Sequence, residues 1–190
     1  MAKNKVKFYL KNAYYAPATI GDGGEITYET PVRIPGAVSI STSPEGDQVT
    51  LRADGIDYYV GNSNNGYSGD VEFALIPDQF RQDCLGETLE EEDKVLTEKA
   101  DAEIKPFAFL FEIAADAKNV RHCLYMCYAT RPSIEAENPD SKEAKTETLT
   151  IKAVPRETDM LVKAKTGDET TETVYNGWYT AVYVPGGETA

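Results

Sequence analysis

One histidine in 190 residues leaves little scope for the commonest acid–base chemistry. Any Ser-His-Asp or Cys-His arrangement must use His122. That residue stands in the apolar run Val120 to Tyr128, where a core or interface position is expected rather than a base. Cysteine is also scarce: Cys84, Cys123 and Cys127 are an odd set with no export signal ahead of them, so free thiols are expected. Cys123 and Cys127 lie four apart in a β-like run, which places both on one face and His122 on the other. They offer no pair of pairs for zinc, so they read as small buried hydrophobes, with no metal. There is no stretch of 18 apolar residues, which excludes a membrane-spanning helix. Near the start, Lys7 and Lys11 break up Val6, Phe8, Tyr9 and Leu10, so no apolar signal-peptide core is expected. Positive charge is in short supply too. Nineteen Lys and Arg face 32 Asp and Glu, a net charge of −13 that excludes a conventional nucleic-acid binder. P-loop, dinucleotide-turn, nucleophile-elbow and calcium-loop patterns are all missing. Gly21-Asp22-Gly23-Gly24 and Asp54-Gly55 read as turns. Glu112, beside Phe111, is the one carboxylate singled out in an apolar strand, and an ion pair explains it as well as catalysis does. The expectation is a protein with no catalytic, cofactor-binding or metal-ligating residues.

What is present is β pattern. The chain is 41% hydrophobic and 10% aromatic, as in globular proteins. Its length suits one domain over residues 1–190 that needs no disulfide or metal. Val38, Ile40 and Thr42 alternate with serines up to the turn Ser43-Pro44-Glu45-Gly46. Val49, Leu51 and Ala53 follow, then the hairpin signal Asp54-Gly55, then Ile56, Tyr58 and Val60, and after Asn64-Asn65-Gly66 come Val71, Phe73 and Leu75. These four runs predict an antiparallel meander. Pro77 opens a short helix with Phe80 and Cys84 on one face, and Gly86 ends it. Phe107 to Ile113 is apolar on both faces, which predicts a strand in the middle of a sheet with both faces covered. Val120 to Tyr128 is its expected hairpin partner. Leu149, Ile151 and Ala153 make another strand, followed by Met160, Val162 and Ala164. In Val174 to Val184, Val174 and Trp178 fit a helix turn while Trp178, Thr180, Val182 and Val184 fit a strand, and a short helix leading into a strand is expected. The fold class is mainly β: an antiparallel β-sandwich or partly closed barrel with one short flanking helix and long polar arms.

The charge is unevenly spread. Residues 87–103 hold eight acids and two lysines, and residues 135–147 hold five acids and two lysines. Together they supply nine of the thirteen net negative charges. Such segments are solvated faces or arms reaching a neighbouring subunit. The first eleven residues carry Lys3, Lys5, Lys7 and Lys11 and no acid. A basic end and acidic arms on one chain suit head-to-tail self-association.

Several segments, in order along nearly the whole chain, resemble the major tail proteins of long-tailed, non-contractile bacteriophages (siphoviruses). They are Lys11-Asn12-Ala13-Tyr14-Tyr15-Ala16, Pro35 to Ser41 leading to Ser43-Pro44-Glu45-Gly46, and Ala74 to Asp78 with Phe80. Further on come Phe107 to Glu112, Arg131-Pro132-Ser133, and Trp178 ahead of Val182-Tyr183-Val184-Pro185. The resemblance implies a structural virion protein: a tail tube subunit that self-assembles into stacked hexameric rings and forms the conduit for DNA ejection, without catalysis. The implied partners are other copies of itself, with tape measure and tail terminator proteins. DNA passes through the lumen without specific binding, no membrane is involved, and the subunit is made and assembled in the host bacterial cytoplasm. The implied arms are residues 87–103, 135–147 and the termini. An acidic wall agrees with such a role, since a basic one would hold DNA by counterion release. The alternative is a β-sandwich binding or decoration module recognising a carbohydrate or host-surface partner, for which twelve tyrosines would serve equally well.

Overall fold

The computed structural model describes residues 3–136, 138 and 144–186. The chain begins with β1 (Lys7–Ile20), β2 (Ile26–Tyr28), β3 (Val32–Ile34) and β4 (Ala37–Glu45), then β5 (Gln48–Ala53), β6 (Ile56–Asn62) and β7 (Gly66–Phe73). Helix α1 (Asp78–Cys84) leads to the short β8 (Thr88–Leu89) and β9 (Leu96–Thr97). The long strands β10 (Phe107–Ala115), β11 (Val120–Ala129) and β12 (Glu147–Val154) follow, and β13 (Lys163–Lys165) and α2 (Glu172–Gly177) close the series. Nine strands form one antiparallel sheet in the order β2-β1-β10-β11-β12-β7-β4, with β3 beside β1 and β13 beside β11.

The sheet folds over on itself. Its concave side gathers Tyr15 of β1, Phe109 of β10, Leu124 of β11, Ile151 of β12 and Val71 and Phe73 of β7 into one core. The last strand, β4, comes alongside residues 7–10 of β1 but makes no ladder with it, so the barrel stays open along that seam. The result is a β-sandwich-like fold. Helix α1 covers part of the same core. Pro77 caps it, and Phe80 and Cys84 point inward as their spacing predicts. The Phe80 ring meets Tyr15 edge-on at 5.0 Å and Phe107 at 5.3 Å. Burying each such ring contributes about 1.5–3 kcal/mol.

The strand expected at the centre is there. β10 lies between β1 and β11, and Phe107, Phe109 and Phe111 face the concave core. Ala108 and Leu110 face a second cluster on the convex side, where Cys123, Tyr125 and Trp178 join them. Both faces are covered, and β11 is its hairpin partner, with Leu110 opposite Cys123 and Glu112 opposite Arg121.

Four expectations need correction. The four runs between Val38 and Leu75 are not a meander. β4 pairs directly with β7, and β5 and β6 pair only with each other, so residues 37–73 make one long hairpin. Cys123 and Cys127 do not share a face. A register shift between Phe107 and Phe109 places one extra residue on β11, since two steps of β10 face three of β11, and this changes its parity. Cys123 therefore joins the convex cluster and Cys127 the concave one. Trp178 to Val184 continues α2 as turns, without a strand, and packs on the convex cluster through Trp178, Val182 and Tyr183. Met160 lies in a turn with φ of +58°, outside β13. The longest strand, β1, follows no clean alternation because two register shifts interrupt it, one of them beside Asn12 at φ of +53°.

Candidate functional site

The outer half of the long hairpin is the most unusual surface. The ladder of β4 and β7 runs out at Glu45 and Gly66, and bonds from Asn65 N to Glu45 O and from Ser63 N to Asp47 O carry it on into β5 and β6. At the junction, Gly66 has φ of +109°, and a Cβ there would meet the Ala153 carbonyl oxygen at 1.9 Å. Only glycine lets β7 approach β12 so closely. At the tip, Asp54 and Gly55 both take positive φ, as the two-residue turn requires. Leu51 lies opposite Tyr59, Val49 opposite Gly61 and Ala53 opposite Ile56, so one face of the hairpin is apolar. That face is uncovered: Leu51 is 57% exposed, Tyr59 60% and Ile56 62%. Its other face carries the exposed pair Arg52–Asp57 at 3.1 Å.

Glu112 sits in a network that uses both of its carboxylate oxygens. It is buried, pairs with Arg121 at 2.9 Å and Lys11 at 3.6 Å, and accepts hydrogen bonds from Asn119 at 2.8 Å and Asn12 at 3.3 Å. The Arg121 guanidinium in turn stacks over the rings of Tyr175 (3.9 Å) and Tyr179 (4.9 Å) and donates to the Tyr175 carbonyl. The charge of Glu112 is thus consumed in tying α2 to β1, β10 and β11. This is the ion-pair reading of Glu112, made within one chain.

His122 stacks on Phe111 with ring centres 4.9 Å apart and planes 3° from parallel. Burial, and then the positive charges of Lys165, Lys163 and Lys7, pull its pKa down to about 4. It is a neutral ring at neutral pH. Cys84, Cys123 and Cys127 are buried free thiols, and burial holds each far above the ordinary thiol range. A thiol kept protonated is a packing group, not a nucleophile. No group of three or more His, Cys, Asp or Glu among the described residues could hold a metal ion. Among them, too, no helix is long and apolar enough to cross a membrane.

The acidic segment 87–103 is a small ordered hairpin. β8 and β9 pair through Thr88–Thr97 and Leu89–Leu96, and Glu90 N to Val95 O closes the turn. Its base is held by Glu87 against Arg81 at 3.5 Å and by Glu98 against Arg131 at 2.8 Å. Glu90, Glu91, Glu92 and Asp93 stand exposed at the tip. Most of the acidic charge of 135–147 lies outside the described residues. Of that segment, Glu147 pairs with Arg81 at 3.2 Å. Of the early lysines, Lys11 is engaged by Glu112, and Lys5 donates its backbone N–H to Asp116 at 2.9 Å. Lys7 has no carboxylate within ion-pair distance among the described residues. Sequence reasoning read β5 and β6 as part of the body. No signal in their alternation marks the apolar face as uncovered.

No protein-family model matches the sequence, and no curated protein matches it. Among solved structures the chain is similar to the tube terminating cap of the anti-feeding prophage, determined by cryo-electron microscopy. The two share 10% sequence identity with a TM-score of 0.49, over 86% of this chain and 94% of that one.

Proposed function

We propose that this chain is a tail tube subunit of a long-tailed phage, a structural protein that assembles into hexameric rings stacked as a tube. In this reading residues 1–190 act as one tail tube domain in the virion. DNA passes through the lumen without specific binding, tape measure and tail terminator proteins are the other partners, and no reaction is catalysed. The observation that carries the reading is the outer hairpin, β5–β6. A two-stranded hairpin is at best marginally stable in water by itself. This one displays an apolar face built of Val49, Leu51, Ile56 and Tyr59, with no cover from the described residues of its own chain. Uncovered apolar surface of this kind marks an association site. The ordered series of resembling segments, the net charge of −13 and the commitment of Glu112 to an internal ion pair agree with it. The acidic hairpin 87–103 is a second assembly element in the same scheme.

The test is direct. The purified protein is concentrated and followed by sedimentation velocity and negative-stain microscopy. Six-membered rings or tubes are the expected result. A protein that stays monomeric at high concentration and instead binds a glycan saturably would establish the alternative, a binding or decoration module.

A further inference from the structure

A cleft of about 400 Å³ opens between β4 and β13, beside the seam that the sheet leaves unclosed. Its charged and polar lining is Lys7, Lys163, His122, Tyr67, Ser41 and Thr42. The Lys163 ammonium lies 4.0 Å over the Tyr67 ring and is bonded to its hydroxyl. Lys165, two residues on, projects its charge onto the same histidine. Among the described residues, none of Lys7, Lys163 and Lys165 has a carboxylate within ion-pair distance. Two ammonium groups line a recess with hydroxyl groups, and a third stands on the neighbouring strand position beside His122.

Carboxylates that would match them stand exposed on a different part of the fold. The exposed tip Glu90 to Asp93 belongs to the hairpin that leads into β10 at Phe107, whereas the cleft touches β10 at Phe111 and Ile113. Four residues of strand, about 13 Å, separate Phe107 from the nearer of these. The base of the acidic hairpin is pinned by Arg81 and Arg131, away from the cleft. A chain with an acidic projection on one hairpin and a basic recess elsewhere on its surface is complementary to a copy of itself, head to tail.

We propose that the lysine-lined cleft between β4 and β13 receives the carboxylates of the acidic tip Glu90–Asp93 of a second copy of this chain. This contact rests on the tail tube reading and deepens it, by naming one pair of surfaces through which subunits join. Exposed ion pairs contribute little singly, but the two lysines of the recess, with Lys165 close by, act on several carboxylates at once. The attraction acts within a screening length of about 8 Å at physiological salt, so the contact is salt-sensitive.

The experiment uses the full chain and two readouts. The first is binding of a fluorescent peptide with the sequence of residues 87–103, compared between the parent and a Lys7→Glu/Lys163→Glu variant whose fold is checked by circular dichroism. At least tenfold weaker binding by the variant is expected, together with loss of binding to the parent in high salt. Equal binding to both proteins, or to neither, overturns the proposal. So does a short DNA duplex that binds the parent through the same lysines when the peptide does not. The second readout is assembly in the microscope. The cleft variant should fail to assemble, and adding Glu90→Lys, Glu91→Lys and Glu92→Lys to it should restore rings. If the parent assembles and the cleft variant assembles equally, the cleft contact is wrong and the tail tube reading stands. If the peptide binds through the lysines but the parent never assembles, the contact stands and the tail tube reading fails.

Discussion

Two hairpins in this chain are written in nearly the same alternation and meet opposite fates. β10–β11 lies in the middle of the sheet, with its concave face on Phe80, Ile151 and Phe73 and its convex face under Trp178 and Tyr183. β5–β6 extends beyond the sheet as the outer half of the β4–β7 hairpin, and its apolar face is bare. A period of two identifies a strand and assigns its residues to two faces. It does not say what covers a face. In β10 the apolar residues fill both faces, and a strand of that composition has to be enclosed within its own domain. In β5–β6 one face is apolar while the other mixes Val60 with Thr50, Arg52 and Asp57. That is equally the pattern of a strand packed on its own core and of a strand waiting for a partner.

The largest test of this contrast is truncation in the enclosed hairpin. Phe109→Ala removes a ring that is 2% exposed and stacked 5.5 Å from Phe111, in a core with little freedom to collapse. The expected loss is about 3–5 kcal/mol from transfer and cavity terms, read by chemical denaturation. Unfolding that matched the parent would remove β10 from the centre.

The same physics explains what could be read in advance and what could not. Phe107 to Ile113 and Val120 to Tyr128 were legible because they satisfy every local rule at once: apolar, of strand length and bounded by turns. Helix α1 was legible from Pro77, the four-residue spacing of Phe80 and Cys84, and Gly86. The faces of Cys123 and Cys127 were not, because a bulge is a local insertion that leaves no mark in hydrophobic periodicity yet inverts every side chain beyond it. β1 was obscured for the same reason, twice over. The cleft lysines were hidden differently. Lys163 and Lys165 lie on a three-residue strand, and only pairing to β11 brings them beside His122 and Lys7, more than a hundred residues earlier.

Next in size is the polar seam that fastens α2 to the sheet. Glu112→Ala leaves the Arg121 guanidinium, which is 16% exposed, without its carboxylate, and strips Asn12 and Asn119 of an acceptor. A loss of about 2–3 kcal/mol is expected, as for hydrogen bonds to charged groups. Glu112→Gln, which keeps the shape and one acceptor, should recover part of it. Equal stability of parent and Glu112→Ala would show that the network is not maintained in solution.

A smaller effect comes from His122. Burial against Phe111 and the nearby Lys165, Lys163 and Lys7 lower its folded pKa to about 4 from an ordinary value of 6.5. The folded state therefore prefers the neutral ring. The contribution is fully present above pH 6.5 and is lost as pH falls from there toward 4. The full shift is reduced by screening at this partly exposed site, which leaves about 1–2 kcal/mol. Since carboxylates also titrate near the lower limit, the measurement is the difference between the parent and His122→Gln. The variant should show a shallower loss of stability between pH 6.5 and 4. Parallel stability curves would place a carboxylate near the ring in solution.

The smallest stability effect is expected on the exposed apolar face of β5–β6. Leu51 and Tyr59 face each other across β5–β6 and touch no part of the body's two cores. Replacing both by Ser removes one cross-strand pair, which contributes about 0.2–1 kcal/mol, and uncovers almost no area that was buried. The doubly substituted chain should therefore unfold within about 0.5 kcal/mol of the parent, as ordinary surface changes do. Its self-association should fall sharply if copies meet at this face, as the tail tube reading holds. A stability loss of several kcal/mol would mean that the hairpin folds back onto the body in solution, and the contrast with β10–β11 would disappear. Unchanged stability with unchanged association would mean that the bare face is not where copies meet. Only neutrality in the monomer combined with loss in the assembly keeps the two hairpins apart: one closed by its own chain, the other by a neighbour.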